Sequence, residues 1–210
     1  MPHSDRPQPG RSVDGPPEAS RGDGSWLFLT KFLQRGRVIA SFAPSSRFMA
    51  RAVLRGIDFD KNPMVVELGA GTGPITAELL RRAGRKGRVI INELDPDLCR
   101  HLRRRFPHAD IVEGDALDLE QLLDERGIQK VDHIVSGLPL PSISEDIRDR
   151  ILDTCARRLA PGGSFRQLTV MPWVYYRLYR RYFDDVRFRF VFRNLPPGGV
   201  YLCKGWQSRP

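Results

Sequence analysis

The chain has 210 residues, 40% hydrophobic and 28% charged, with a formal net charge of +9. These proportions exclude a wholly disordered chain. No apolar run approaches the roughly 20 residues a bilayer-crossing helix needs, and the length suits one catalytic domain with a full core.

In chain order, residues 1–24 are rich in Pro, Gly, Ser, Asp and Arg and are expected to form a disordered tail. The tail lacks the apolar centre of a secretory signal, so the expected compartment is the cytoplasm. Residues 25–60 read as helices capping the domain that follows at 61–210. Trp26, Leu29, Phe32 and Leu33 recur at helical spacing beside Lys31, Arg35 and Arg37. This basic amphipathic helix either packs on the domain or lies among lipid headgroups. Ser45 or Ser46 can cap a second helix running through Phe48, Met49, Ala52, Val53 and Leu54. Arg47 in its first turn opposes the helix dipole, which makes it a candidate contact for a phosphate or carboxylate.

An apolar strand, 64–68, then empties into Gly69, Gly71 and Gly73, with Pro74 placed for a first helical turn. A dinucleotide site would want G-x-G-x-x-G. An acidic residue, Glu67, ahead of the tighter G-x-G-x-G around Thr72 suits S-adenosylmethionine instead, with a purely structural turn as the plain alternative. Strand 88–93 ends in Glu93, roughly 20 residues beyond the loop, where a ribose diol would sit. Strand 110–113 runs into Gly114, Asp115 and Ala116, and a carboxylate at Asp115 can accept from an adenine amine.

Helices about 74–83, 96–105, 118–126 and 144–159 alternate with strands 64–68, 88–93, 110–113, 131–136 and 164–170. Such alternation predicts a parallel sheet covered on both faces. Pro161-Gly162-Gly163 is read as the stop of the long helix. A further helix carries Trp173, Tyr175, Tyr176, Tyr179 and Tyr182 among arginines, and strands 187–193 and 200–204 follow, joined by a Pro-Pro-Gly-Gly turn. Cys99, Cys155 and Cys203 are odd in number and far apart, so neither a disulfide nor a metal site is expected. The basic excess implies an anionic partner, nucleic acid or a membrane surface, and charge does not choose between them.

Beyond the fourth strand lies Ser136-Gly137-Leu138-Pro139-Leu140-Pro141. It resembles the Asn-Pro-Pro-Tyr loops of amino methyltransferases, which hold an acceptor nitrogen in line with a sulfonium methyl. Ser136 stands for the Asn and Leu140 for the aromatic residue. Without that plate for a nucleobase, a flexible aliphatic amine is the better acceptor. Ser136, Gly137 and Leu138 are the catalytic candidates, acting by carbonyl contacts, desolvation and proximity. His133, inside the strand, is read as a packed side chain.

From about Phe28 to Trp206 the chain resembles the bacterial phospholipid N-methyltransferases of the Agrobacterium type and the related ornithine-lipid N-methyltransferases. The likeness rests on F-A-P-S-S-R-F at 42–48, E-L-G-A-G-T-G at 67–73, G-D-A at 114–116, S-G-L-P-L at 136–140 and P-G-G-S-F-R-Q at 161–167. It implies a Rossmann-like class I methyltransferase fold, with a mostly parallel seven-stranded sheet between helices. It also implies repeated methyl transfer from S-adenosylmethionine to a membrane aminolipid, phosphatidylethanolamine or ornithine lipid. The protein would sit on the inner face of the cytoplasmic membrane, with no obligatory protein partner. Arg47, Arg166, Tyr175 and Tyr176 are the headgroup candidates. Members commonly carry Q-F-T-Y after strand five, where this chain has Gln167-Leu168-Thr169-Val170. Two alternatives stand beside this reading: an enzyme similar to the ribosomal-RNA adenine dimethylases, and a non-enzymatic binder of membranes or RNA.

Overall fold

The computed structural model describes residues 45–170, 175–194 and 197–206. The expected tail at 1–24, the amphipathic helix at 26–37 and Trp173 lie outside them. Helix α1 (Ser45–Val53) leads into strand β1 (Met64–Leu68), all five residues of which are buried, as a central parallel strand requires. Helix α2 (Pro74–Ala83) begins on its proline and ends at Gly84 in a positive-φ conformation. Strand β2 (Arg88–Glu93) feeds α3 (Pro96–Arg105), where the Asp95 carboxylate caps the N–H groups of Asp97 and Leu98. Strand β3 (Asp110–Glu113), α4 (Leu119–Asp124), β4 (Val131–Ser136) and α5 (Glu145–Arg158) continue the alternation. α5 opens on Glu145 and Asp146 and closes on Arg157 and Arg158, in accord with its dipole. Both arginines also pair with Glu120 at the start of α4.

The seven strands lie in the order β3-β2-β1-β4-β5-β7-β6. β1 to β5, the last at Leu159–Thr169, are parallel, and β7 (Gly198–Trp206) runs antiparallel between β5 and β6 (Phe183–Val191). Alternate residues divide the core in two. On one face α1, α2 and α3 cover Val65, Val89, Ile91, Val135 and Val200. On the other, α4, α5 and the short α6 (Tyr176–Tyr179) cover Val66, Ile90, Ile134, Phe165 and Tyr201.

Three local expectations change. The helix after β5 has four residues, and Tyr182 lies outside it. Tyr179 and Tyr182 serve the core, with the Tyr179 and Tyr201 rings 4.9 Å apart. The Pro161-Gly162-Gly163 segment belongs to β5. Gly198 and Gly199 belong to β7 and not to the turn before it, because a Cβ on Gly199 would stand 2.2 Å from the Phe188 ring. The glycine is there to let a neighbouring aromatic lie across the strand.

Candidate active site

The carboxyl ends of β1, β2, β3 and β4 meet along one edge of the sheet, where parallel α/β folds place their ligands. At the end of β1 the N–H groups of Gly69 and Ala70 both donate to the Asn92 carbonyl, at 2.9 and 3.2 Å. The chain then turns through positive φ at Gly69, Gly71 and Gly73. A Cβ at Gly69 would meet Leu138 at 2.9 Å, whereas one at Gly71 would meet nothing within 4 Å. Gly69 is therefore packed against the β4 loop, and Gly71 faces open space.

Two acids converge on this bend. Glu93, 1% exposed, accepts from the Gly71 N–H at 2.7 Å and from the N–H groups of Leu94 and Asp95 at 2.9 and 3.0 Å. Its carboxylate thus ties the turn after β1 to the turn after β2. Glu67 is fully buried, and its Oε2 accepts from the Thr76 hydroxyl at 2.7 Å. Its Oε1 has no partner among the described residues. Burial pushes the Glu67 carboxyl up to about 8 despite the Thr76 hydrogen bond, and the Glu93 charge adds to the rise. At neutral pH it is largely protonated. Its Oε1 is a buried oxygen left open, which in the ionised form would accept a donor or a cation.

Asp115 stands at the end of β3, half-buried, where its Oδ1 caps the turn Ala116–Asp118 through the Leu117 N–H at 2.9 Å. Asn92 holds that turn by donating to the Gly114 carbonyl at 2.9 Å. The four acidic and glycine features expected from the sequence, Glu67, Glu93, Asp115 and the loop 69–73, are thus joined through backbone and carboxylate hydrogen bonds along one edge.

The β4 loop closes the other wall. The Gly137 N–H donates to the Leu68 carbonyl at 2.8 Å, and a Cβ at Gly137 would stand 2.6 Å from the Gly69 carbonyl oxygen. Only glycine permits the two loops to touch at this point. Ser136 is buried, and its hydroxyl accepts from the Leu138 N–H at 3.3 Å, in the manner of an Asn or Ser turn. Leu140 is buried in the core on the α5 side.

Gln167 is the residue that sequence reasoning passed over. It pairs in register with Ser136 and donates to the Leu138 carbonyl at 2.9 Å, while its Oε1 is buried with no described partner. Its signal was the strand register: two residues beyond Phe165, it shares that residue's face and reaches the β4 loop.

The headgroup candidates are not gathered into one place. Tyr175, half-buried, and Tyr176, exposed, stand at the start of α6. Arg47 is exposed in the first turn of α1. Arg166 points to the opposite sheet face from Gln167 and is 4% exposed beneath α1. It donates to the carbonyls of Val53 and Arg55 at 2.8 and 2.9 Å and to the Ser164 hydroxyl at 2.8 Å. Ser164 also meets His133 Nδ1 at 2.9 Å. Burial, helped by the nearby Arg166 charge, pulls the imidazole down to about 4, so His133 is neutral at pH 7 and lies off the β4 loop.

Comparison with known proteins places this edge in context. A family model described as a methyltransferase domain matches residues 65–163. The ornithine lipid N-methyltransferase of Singulisphaera acidiphila is 50% identical over 183 residues, covering 86% of this chain and 95% of that protein. The ribosomal RNA small subunit methyltransferase A of Mycoplasma mycoides is 33% identical over 93 residues, which is 42% of this chain and 34% of that one. In fold, the chain superposes on a Burkholderia thailandensis 1,6-didemethyltoxoflavin-N1-methyltransferase with a TM-score of 0.67 at 18% identity. That match covers 93% of this chain and 94% of the other.

Proposed function

The chain belongs to the bacterial aminolipid N-methyltransferases, and from that premise we propose that it moves methyl groups from S-adenosylmethionine to the primary amine of ornithine lipid. The observation that carries this choice of lipid is the 50% identity that extends across 95% of an ornithine lipid enzyme. The likeness to the Mycoplasma mycoides ribosomal RNA enzyme reaches 42% of this chain and 34% of that one, and the buried Leu140 offers no plate for a flipped base.

The residues at the sheet edge fit the cofactor. Gly71 leaves its side of the bend open, and Glu67 Oε1 is a buried acceptor without a donor, suited to a cationic group. Glu93 lies where a ribose diol would meet the bend, and the second oxygen of Asp115 is available to an adenine amine. Thr72, Gly73 and Ala116 frame the same edge. When bound, the cofactor supplies an electrophilic methyl group on a sulfonium sulfur.

What the chain itself must do is present a neutral nitrogen beside it. A lipid ammonium has a pKa near 10, so a proton must leave before the lone pair can react. The β4 loop favours its departure by excluding water and by offering the main-chain carbonyls of Ser136 and Gly137 as acceptors. Gln167 fixes the Leu138 carbonyl through its amide N–H, which holds the loop in one position. Its unpartnered Oε1 is a further acceptor on that wall. Proximity and alignment then carry most of the acceleration, since no titratable side chain among the described residues hydrogen-bonds to the loop. Tyr175, Tyr176 and Arg47 are proposed to guide the headgroup. No described helix is long and apolar enough to cross a membrane. With the net charge of +9, this supports a peripheral position on an anionic inner membrane surface.

The test is transfer of label from methyl-labelled cofactor to vesicles holding ornithine lipid or phosphatidylethanolamine, or to ribosomal RNA. Label in ornithine lipid is expected, and label in RNA alone would overturn the reading. Glu93→Ala should lower the rate at least about a hundredfold, since it unties the bend as well as the ribose contact.

A further inference from the structure

On the sheet face away from the β4 loop lies a pocket of about 210 Å³ that methyl transfer does not use. Ala52 and Arg55 close it from the end of α1, Arg166 from β5, Arg187 and Arg189 from β6, and Val200 and Leu202 from β7. Four arginines therefore border one small space, with Ala52, Val200, Leu202 and Phe188 as its apolar lining. Arg187 is held by Asp185 at 3.0 Å, the one carboxylate that pairs with any of the four among the described residues. Arg55, Arg166 and Arg189 form no ion pair there.

Arg166 is the unusual member. A cation with 4% exposure is normally paired, because leaving it alone in a poorly hydrated place is costly. Its Nε and one terminal nitrogen are spent on the Ser164 hydroxyl and on the carbonyls of Val53 and Arg55, all neutral groups. Burial and the Arg189 charge both pull it down, to about 10, which reports the same lack of a counter-charge. The second terminal nitrogen makes no hydrogen bond to a described residue, and the pocket lies beside it.

We propose that this pocket is a binding site for a phosphate group. Three guanidiniums without carboxylates suit a multiply charged tetrahedral oxyanion better than a single carboxylate, because the forks of Arg55 and Arg189 can each engage two oxygens while the remaining terminal nitrogen of Arg166 donates to another. The space exceeds one phosphate, and its apolar lining accommodates a carbon substituent. An anionic phospholipid headgroup and free phosphate share this chemistry. The site is separate from the acceptor loop, since Arg166 and Gln167 point to opposite faces of β5.

The variant that reads the proposal is Arg55→Gln with Arg189→Gln. Both side chains are exposed, and the Arg166 hydrogen bonds to backbone carbonyls and Ser164 are left in place. Arg85→Gln with Arg104→Gln, two exposed arginines outside the pocket, is the control pair that matches the loss of two charges elsewhere. Calorimetric titration with inorganic phosphate against chloride at equal ionic strength should show binding that Arg55→Gln with Arg189→Gln weakens about tenfold and the control pair leaves within twofold. Phosphatidylcholine vesicles with and without phosphatidylglycerol form the second arm. Loss in that arm identifies the lipid headgroup as the source, and loss confined to inorganic phosphate identifies the free ion. No preference for phosphate over chloride together with no dependence on phosphatidylglycerol would overturn the site. Equal loss in the control pair would do so too, since it would mean diffuse charge alone. Binding of S-adenosylhomocysteine to the same samples should be unchanged in all variants, which separates failure here from failure of the methyl-transfer reading.

Discussion

Glu67 decides how stability of the cofactor-free protein depends on pH. Its carboxyl titrates near 4.5 when unfolded and at about 8 when folded, so between those values the native state holds the extra proton and stability falls as pH rises. His133 acts in the opposite sense. Its imidazole drops from 6.5 to about 4 on folding, so stability rises with pH between those values. The two slopes nearly cancel from 4.5 to 6.5, and above 6.5 only the Glu67 penalty continues to grow. The urea midpoint of the free protein should therefore decline from pH 6.5 to 8. Glu67→Gln should flatten that decline while weakening cofactor binding, because a bound cationic group draws the carboxyl into its ionised form and an amide cannot follow. A wild-type decline that persists unchanged in Glu67→Gln would assign the slope to another group.

At the scale of elements, the site is a contact between two loops that the chain separates by more than sixty residues. The β1 loop and the β4 loop meet where the Gly137 Cα lies over the Gly69 carbonyl, and neither side can yield without moving backbone. Gly137→Ala should push the β4 loop outward, with at least about a hundredfold loss in kcat/KM from misplacement alone. Retention of S-adenosylhomocysteine binding within about tenfold would accompany it, because the acids and the open side of Gly71 remain. Thermal stability should fall by only about 1–3 kcal/mol, the cost of overpacking. Full activity in Gly137→Ala would mean that the β4 loop has no part in holding the acceptor.

Taken as a whole, the molecule sets the proposed cofactor site at the carboxyl edge of the sheet and a basic face elsewhere. Because Glu67, Glu93 and Asp115 are distributed over three strands, a ligand that bridges them should stabilise the fold globally and not one loop. At a hundredfold excess over its dissociation constant, S-adenosylhomocysteine should add about 2.7 kcal/mol to the stability, read as a rise in Tm. Absence of any rise at saturating concentration would remove the cofactor and with it the proposed reaction.

Much of this was legible in the linear chain. Periodicity placed β1 to β4, with α3 and β4 at the residues expected, because buried parallel strands and amphipathic helices each write their own repeat. The glycine spacing and the acids at strand ends located the cofactor edge, since those positions follow from where parallel strands stop. Short elements and close approaches were not legible. The four-residue α6 and the incorporation of Gly198-Gly199 into β7 depend on what packs against them, on Tyr201 and the Phe188 ring in particular. The sequence by itself determined the fold class and set out the candidate cofactor residues, because fold class is encoded by local pattern and order along the chain and the candidates follow from where parallel strands stop. Only the tertiary structure decided that Gln167 supports the β4 loop and that Arg166 turns away from it. The two are neighbours in sequence, and a strand sends neighbouring side chains to opposite faces, one to each core.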